Sequence, residues 1–291
     1  MMRESAIEQF ESLFERASIP VLDIREITLR RISVILKGDR LDESILVLAD
    51  YLKDRFQAQV QVHWSSSAYP SLLAAAESVH RFTPASAPFE STAALIGQVA
   101  LAHSQLVLIP EPENEAARVV DKDRLVEGSA PPILLVRAPT GQPKAVFQRI
   151  LHSLSGHFQQ TENFAYSFTL VEEHGTLRLL HAIDQNDLAA VREAMHVAPD
   201  VSAENEKEIL EHLTHRGERY LKAVVAASRK FPYEVTYRLR LGDVVTTVQR
   251  ELATGSYGLL VVGHHEEGYS RITAADYQLM HLVREVPVLA L

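Results

Sequence analysis

The sequence predicts two tandem α/β domains, each a doubly wound five-stranded parallel sheet. Three observations lead there. Short apolar strands and amphipathic helices alternate in a pattern that is written twice; each half carries a fully apolar strand, Leu106 to Ile109 and Leu259 to Val262; and each half closes on a strand led in by proline, Ile133 to Val136 and Val288 to Leu291. A strand apolar at every residue is expected where helices cover both faces of a parallel sheet. Alternating strands and helices give such a sheet, with right-handed crossovers.

The first half opens on Arg31-Ile32-Ser33-Val34-Ile35-Leu36, a strand running into the turn Lys37-Gly38-Asp39. Ile45, Leu48, Ala49, Leu52 and Phe56 recur at helical spacing behind Asp42, a candidate cap. Gln59 to Trp64 alternates like a second strand, Pro70 to Arg81 reads as a short helical stretch, and Thr92 to Ala102 as an amphipathic helix. The second half repeats the pattern. Phe147-Gln148-Arg149-Ile150-Leu151-His152 runs towards the turn Ser155-Gly156; Phe164, Phe168 and Val171 mark the next helix, His174-Gly175 stops it, and Leu177 to Ile183 forms a strand. Asn186 to Ala198 is an insertion ahead of a long helix, Glu204 to Arg229, with an inward stripe of Leu210, Leu213, Gly217, Leu221 and Val224. Asp243 to Leu252 is the helix that delivers the chain into the last apolar pair of strands.

Ala138 to Val146, with Pro139, Gly141 and Pro143, is the natural linker and divides residues 1–142 from 143–291. Residues 3 to 17 read as an extra amphipathic helix with Ile7, Phe10, Leu13 and Phe14 on one side.

Length and composition agree with two cores: 291 residues, 46% hydrophobic and 23% charged. The absence of cysteine excludes thiolate catalysis, disulfides and cysteine-ligated metal sites. A formal charge of -9 with no cluster of Lys and Arg argues against a nucleic-acid partner. No run approaches the roughly 18 apolar residues of a membrane span, and Met1-Met2-Arg3-Glu4-Ser5 lacks a signal-peptide core. The expected location is the cytoplasm, with no membrane contact.

Phe147 to Leu151, Leu177 to Asp184, Gly242 ahead of a helix, Gly258-Leu259-Leu260-Val261-Val262-Gly263-His264-His265 and Val283-Arg284-Glu285-Val286-Pro287-Val288-Leu289 together resemble the universal stress protein family in its tandem form. The likeness covers most of residues 147 to 291. In the first half it rests on Arg31 to Lys37, Leu106 to Pro110 and Pro131 to Arg137. It implies Rossmann-like domains whose last strands pair within one chain, Ile133 to Val136 against Val288 to Leu291. Such strands left open would invite aggregation. A homodimer of whole chains is expected besides.

Nucleotide-binding members of that family place an acid at the end of the first strand for the base and a G-x2-G-x9-G-[S/T] loop after the fourth. The glycines let backbone N–H groups close on phosphates. Here Lys37 and Ser155 hold the acid's position, Glu266 stands at the second glycine, and Ala274-Ala275 replaces the terminal pair. In the first half, Pro110-Glu111-Pro112-Glu113-Asn114-Glu115 has no glycine at all. Bulk and like charge oppose a triphosphate, so no cofactor is expected. The alternative is ATP or AMP in a remodelled loop, with at most slow hydrolysis.

The crevice at the carboxyl ends of the strands is where a doubly wound fold holds a ligand. Its candidate lining in the second half is Ser155, Gly156, Gly263, His264 and Gly268, with His152 or His157, His181 and His265 close by. Ten of the thirteen histidines lie beyond residue 143, which suggests a metal or pH-sensing site. Strand alternation, however, sends His264 and His265 in opposite directions. A structural role is the expectation and no metal is assigned. His212 and His215, three apart on the long helix, read as solvated surface, and Ser65-Ser66-Ser67 as a polar loop. There is no nucleophile elbow, paired catalytic acids or P-loop. The protein is therefore expected to be a non-enzymatic stress-response protein acting through an unidentified protein or small ligand. A soluble regulatory module of a transporter is the remaining alternative.

Overall fold

The computed structural model describes residues 22–38, 40–68, 81–111, 120–139, 141–154, 162–183, 203–263 and 272–291. Ten strands lie in these residues: β1 (Arg31–Leu36), β2 (Gln59–Trp64), β3 (Thr83–Pro84), β4 (Leu106–Pro110), β5 (Ile133–Val136), β6 (Arg149–Leu154), β7 (Thr176–Ile183), β8 (Glu234–Leu241), β9 (Leu259–Val262) and β10 (Val288–Ala290). They form one sheet in the order β3-β2-β1-β4-β5-β10-β9-β6-β7-β8. The pairing is parallel within β3 to β5 and within β10 to β8, and antiparallel where β5 meets β10.

The registers reveal an approximate twofold. Ile32 lies beside Leu106 as Ile150 lies beside Leu259, Arg31 beside Gln59 as Arg149 beside Thr176, and Val107 beside Ile133 as Leu260 beside Val288. Leu134 is thereby the counterpart of Leu289, and these two are paired with each other. The axis passes between them. Because the halves meet antiparallel, their strand-end crevices face opposite ends of the sheet.

Helices cover both faces. On one lie α1 (Asp42–Phe56), α4 (Pro143–Gln148), α5 (Glu162–Leu170) and α6 (Ala203–Ser228); on the other lie α2 (Thr92–Leu101), α3 (Lys122–Gly128), α7 (Val244–Thr254) and α8 (Ala274–Leu282). Strand alternation divides the core accordingly, with Ile32, Val34 and Leu36 of β1 in the first layer and Ile35 in the second. Each layer is a single apolar cluster that runs through both halves. α1, α2 and the turn before β7 end on the left-handed non-glycine residues Gln57 (φ 52), His103 (φ 50) and His174 (φ 63). No described helix is long and apolar enough to cross a membrane.

One arginine of the first half clamps each face of the junction. Arg55 of α1 donates to the carbonyls of Thr169, Leu170 and Val171 at the end of α5 and to the Glu172 carboxylate. Tyr51 also donates to Glu172, and its ring stacks on Phe147 with centroids 6.2 Å apart. On the other face Arg137 donates to the carbonyls of Met280 and Val283 at the end of α8, while Tyr277 Oη donates to Glu127 at 2.6 Å. Cations at helix carboxyl ends meet the negative pole of the helix dipole.

Several expectations from the sequence are corrected. Asp42 is not the cap of α1: Leu41 holds that position, and Asp42 is the first helical residue, its carboxylate accepting from Lys37 N (3.2 Å) and Gly38 N (2.8 Å). Phe147 and Gln148 belong to α4, which starts at Pro143 inside the expected linker, and β6 begins only at Arg149. Pro143 fixes a backbone angle suited to a first helical turn, and Phe147 becomes fully buried. The edge strands β3 and β8 carry no clear strand pattern in the sequence, since one is two residues ending in proline and the other carries Arg238 and Arg240. The stretches 3–17, 70–80 and 186–198 lie outside the described residues.

Leu134 and Leu289 are fully buried at the axis. Leu134→Ala and Leu289→Ala should each lower unfolding stability by about 2–5 kcal/mol in urea titrations. The double variant should depart from the sum of the two, because the residues are direct neighbours.

Candidate functional site at the strand ends

In the first half, two carboxylates occupy the carboxyl ends of the central strands. Asp42 accepts the N–H groups of the turn after β1. Glu111, directly after β4, takes Lys122 Nζ and Arg284 Nη1 (3.1 Å) on Oε1 and Arg137 Nε (2.9 Å) and Nη2 (2.8 Å) on Oε2. Lys122 and Arg137 come from α3 and the end of β5, and Arg284 from the other half. Burial by itself would raise the Glu111 pKa, but Arg137 and Lys122 outweigh it and hold the carboxyl below its usual range. Burial pulls Arg137 down from the ordinary arginine value, against the opposing pull of Glu111.

The helices that follow the two loops are closed at their amino ends by their own side chains. Asp121 accepts from Asp123 N and Arg124 N at the start of α3. Thr273 and Asp276 form a reciprocal capping box on α8, with Asp276 fully buried. These N–H groups are the ones a phosphate uses at a helix amino end. Ala274 and Ala275 lie in that capped first turn.

Of the residues predicted to line the second crevice, Gly263 is described: it ends β9 in a left-handed conformation (φ 86) that only glycine adopts without strain. Ser155, Gly156, His264 and Gly268 lie outside the described residues, as do His157, His265 and Glu266.

His152 is not part of the crevice, which corrects its sequence assignment. Its place in β6 turns it under α5, where Nδ1 and Ser167 Oγ share a hydrogen bond of 2.7 Å and Phe164 packs edge-on at 5.8 Å. It is fully buried, its Nε2 has no hydrogen-bond partner, and desolvation lowers its pKa to about 3. His181 is buried too, with Nδ1 3.1 Å from the carbonyl of Leu154, and burial likewise lowers its pKa. His215 is exposed on α6; the His212 side chain lies outside the described part.

Sequence reasoning singled out Glu111 as hostile to phosphate but missed Asp42 as an N–H acceptor and the three cations around Glu111. Arg137 and Arg284 stand 26 and 173 positions from Glu111, beyond any local pattern.

No family model matches the sequence, and no curated protein matches it. Solved structures do. The chain is similar to a functionally unknown protein from Pseudomonas aeruginosa PAO1, with a TM-score of 0.54 and 14% identity over 90% of this chain and 92% of that one. It is similar also to a universal stress protein from Archaeoglobus fulgidus DSM 4304, with a TM-score of 0.51 and 12% identity over 88% and 94% of the two chains. The chain has the universal stress protein fold. At these identities the likeness is one of architecture, and it extends over both halves. Within the universal stress protein fold, Asp42 and Glu111 stand at the two strand ends that frame the crevice of the first half.

Glu111→Gln should lower stability by about 3–5 kcal/mol in denaturant titrations, because it leaves buried cations without their carboxylate. His152 supplies a pH test. Its folded pKa of about 3 lies below the ordinary 6.5, so between these values the unfolded chain binds a proton that the folded chain refuses. Stability should therefore fall as pH drops from about 6.5 towards 3. His152→Val, which copies Val34 at the twofold-related position, should flatten that fall when urea midpoints at pH 7 and about pH 4.5 are compared.

Proposed function

We propose that this protein is a tandem universal stress protein of the cytoplasm that has lost the ATP site and acts without catalytic turnover at its strand-end crevices, through contacts with a protein or small ligand. The observation that carries this reading is the pair of bonded carboxylates at the strand ends of the first half. Asp42 and Glu111 are anions fixed at the positions a bound nucleotide would approach, and Glu111 already engages Lys122, Arg137 and Arg284. A triphosphate would have to displace a buried, multiply bonded carboxylate and face its charge. The capped amino ends of α3 and α8 support the same reading, since the N–H groups of Asp123, Arg124 and Asp276 are already engaged by the helices' own side chains.

A second reading keeps ATP or AMP in the second half alone. Gly263 favours it, because its left-handed backbone preserves the first glycine of the family's phosphate loop. The two are separated by denaturing the purified protein and analysing the supernatant for nucleotide by chromatography, with titration calorimetry of the native protein against ATP and AMP. The expected result is no co-purified nucleotide and no saturable heat. One equivalent of nucleotide per chain would replace the first reading with the second, and two equivalents would overturn both.

A further inference from the structure

We propose that Ser104 is an acyl acceptor, a modification site to which a small activated carboxylic ester transfers its acyl group. The site lies at the amino-terminal edge of the first half's sheet, away from that half's crevice.

Four polar side chains form a chain of hydrogen bonds there. Ser104 Oγ lies 2.6 Å from Ser33 Oγ, Ser33 Oγ lies 2.9 Å from His63 Nε2, and His63 Nδ1 lies 3.0 Å from Gln98 Oε1. Every proton in the chain can be placed. Gln98 Nε2 donates to the carbonyl of Ala87 at 3.2 Å, so the amide oxygen faces the imidazole. That oxygen only accepts; Nδ1 therefore carries the proton and Nε2 is bare. Ser33 must donate its single O–H to Nε2, and Ser104 must donate its own to Ser33. The outer serine is thus joined through a relay to a neutral imidazole base that Gln98 holds in the required tautomer, the relation by which serine nucleophiles are activated. Ser33 and His63 are fully buried, whereas Ser104 is half-buried behind the left-handed turn at His103.

The second half is an internal control. By register Ser33 corresponds to Leu151 and His63 to Leu180, both buried in an apolar layer. Counted back from β4 and β9, Ser104 corresponds to Tyr257 and Gln98 to Glu251. The second half therefore builds the same frame with leucine at both core positions. A buried serine and histidine in their place gain nothing in packing, yet they are fully satisfied and aligned towards one accessible hydroxyl.

In the proposed step Ser104 Oγ bonds to the ester carbonyl carbon. Its proton moves to Ser33 as the Ser33 proton moves to His63 Nε2. Collapse of the adduct breaks the bond to the alcohol or phenol oxygen, and the proton returns through Ser33 to that departing oxygen. The acyl group stays on Ser104, so the reaction is stoichiometric and no redox partner is required.

The test is incubation of the full-length protein with p-nitrophenyl acetate, with release of p-nitrophenolate followed by absorbance and the acetyl group mapped by mass spectrometry. Acetylation at Ser104 is expected, and Ser104→Ala abolishes it. Ser33→Ala cuts the relay and slows labelling roughly 100-fold relative to surface lysines of the same chain. Ser33→Thr, which restores a hydroxyl, recovers the rate. Unlabelled Ser104 in the wild-type protein, or labelling equally fast in Ser33→Ala, would overturn the proposal.

Discussion

The antiparallel pairing of β5 with β10 is the constraint on which the rest of the molecule depends. Both strands are buried at every residue, and as edges of separate sheets they would expose apolar side chains and unpaired backbone groups together. Joining them removes two edges and carries both core layers through the whole chain. It also fixes direction. With the strands antiparallel across Leu134 and Leu289, the carboxyl ends of one half lie beside the amino ends of the other. That is why Arg284, which precedes β10, reaches Glu111 after β4, and why Tyr166 of α5 reaches the carbonyl of Gln105 ahead of β4.

Helix ends at this junction present carbonyls that no intrahelical N–H can satisfy. Arginine answers that need better than lysine, because its planar fork places several donors at once. Arg55 spreads over three carbonyls and a carboxylate, and Arg137 over two carbonyls and a carboxylate. The segment 22–30 adds a strap on the first face, where Ile27 N donates to Thr169 Oγ1 at 2.8 Å and Ile24 and Leu29 are fully buried. The relative placement of the halves is therefore held by directed polar contacts laid over a continuous apolar layer.

The apolar strands were legible in the sequence because parallel strands covered on both faces leave little choice of residue: Leu106 to Pro110 and Leu259 to Val262 are buried throughout. Edge strands escape that rule. β8 alternates only partly and β3 is too short to show a period. The start of β6 was misplaced because Phe147 is as apolar as a strand residue, though its burial comes from a helix against Tyr51. Among site residues, what could be read was what is local: the missing glycines and the acid after β4. The partners of Glu111 and the relay behind Ser104 join residues 11 to 173 and 30 to 71 positions apart, so only the folded register brings them together.

Comparison across the twofold separates what the fold requires from what each half has added. Ile32 and Ile150, Leu106 and Leu259, and Leu134 and Leu289 keep the same residue at equivalent positions, since packing there constrains both shape and polarity. Ser33 opposite Leu151, His63 opposite Leu180 and Val34 opposite His152 do not. A polar group in a buried layer costs free energy unless it is hydrogen-bonded, and the two halves meet that condition to different degrees. His152 keeps one nitrogen unpartnered inside an aromatic shell, whereas His63 is bonded through both. The first half thus carries two bonded carboxylates, Asp42 and Glu111, at its strand ends and places a fully paired histidine behind a half-buried serine. The second has kept Gly263 in a backbone conformation that other residues resist. Each half can differ in its polar interior separately, because the pairing at Leu134 and Leu289 holds whichever side chains the strand ends carry.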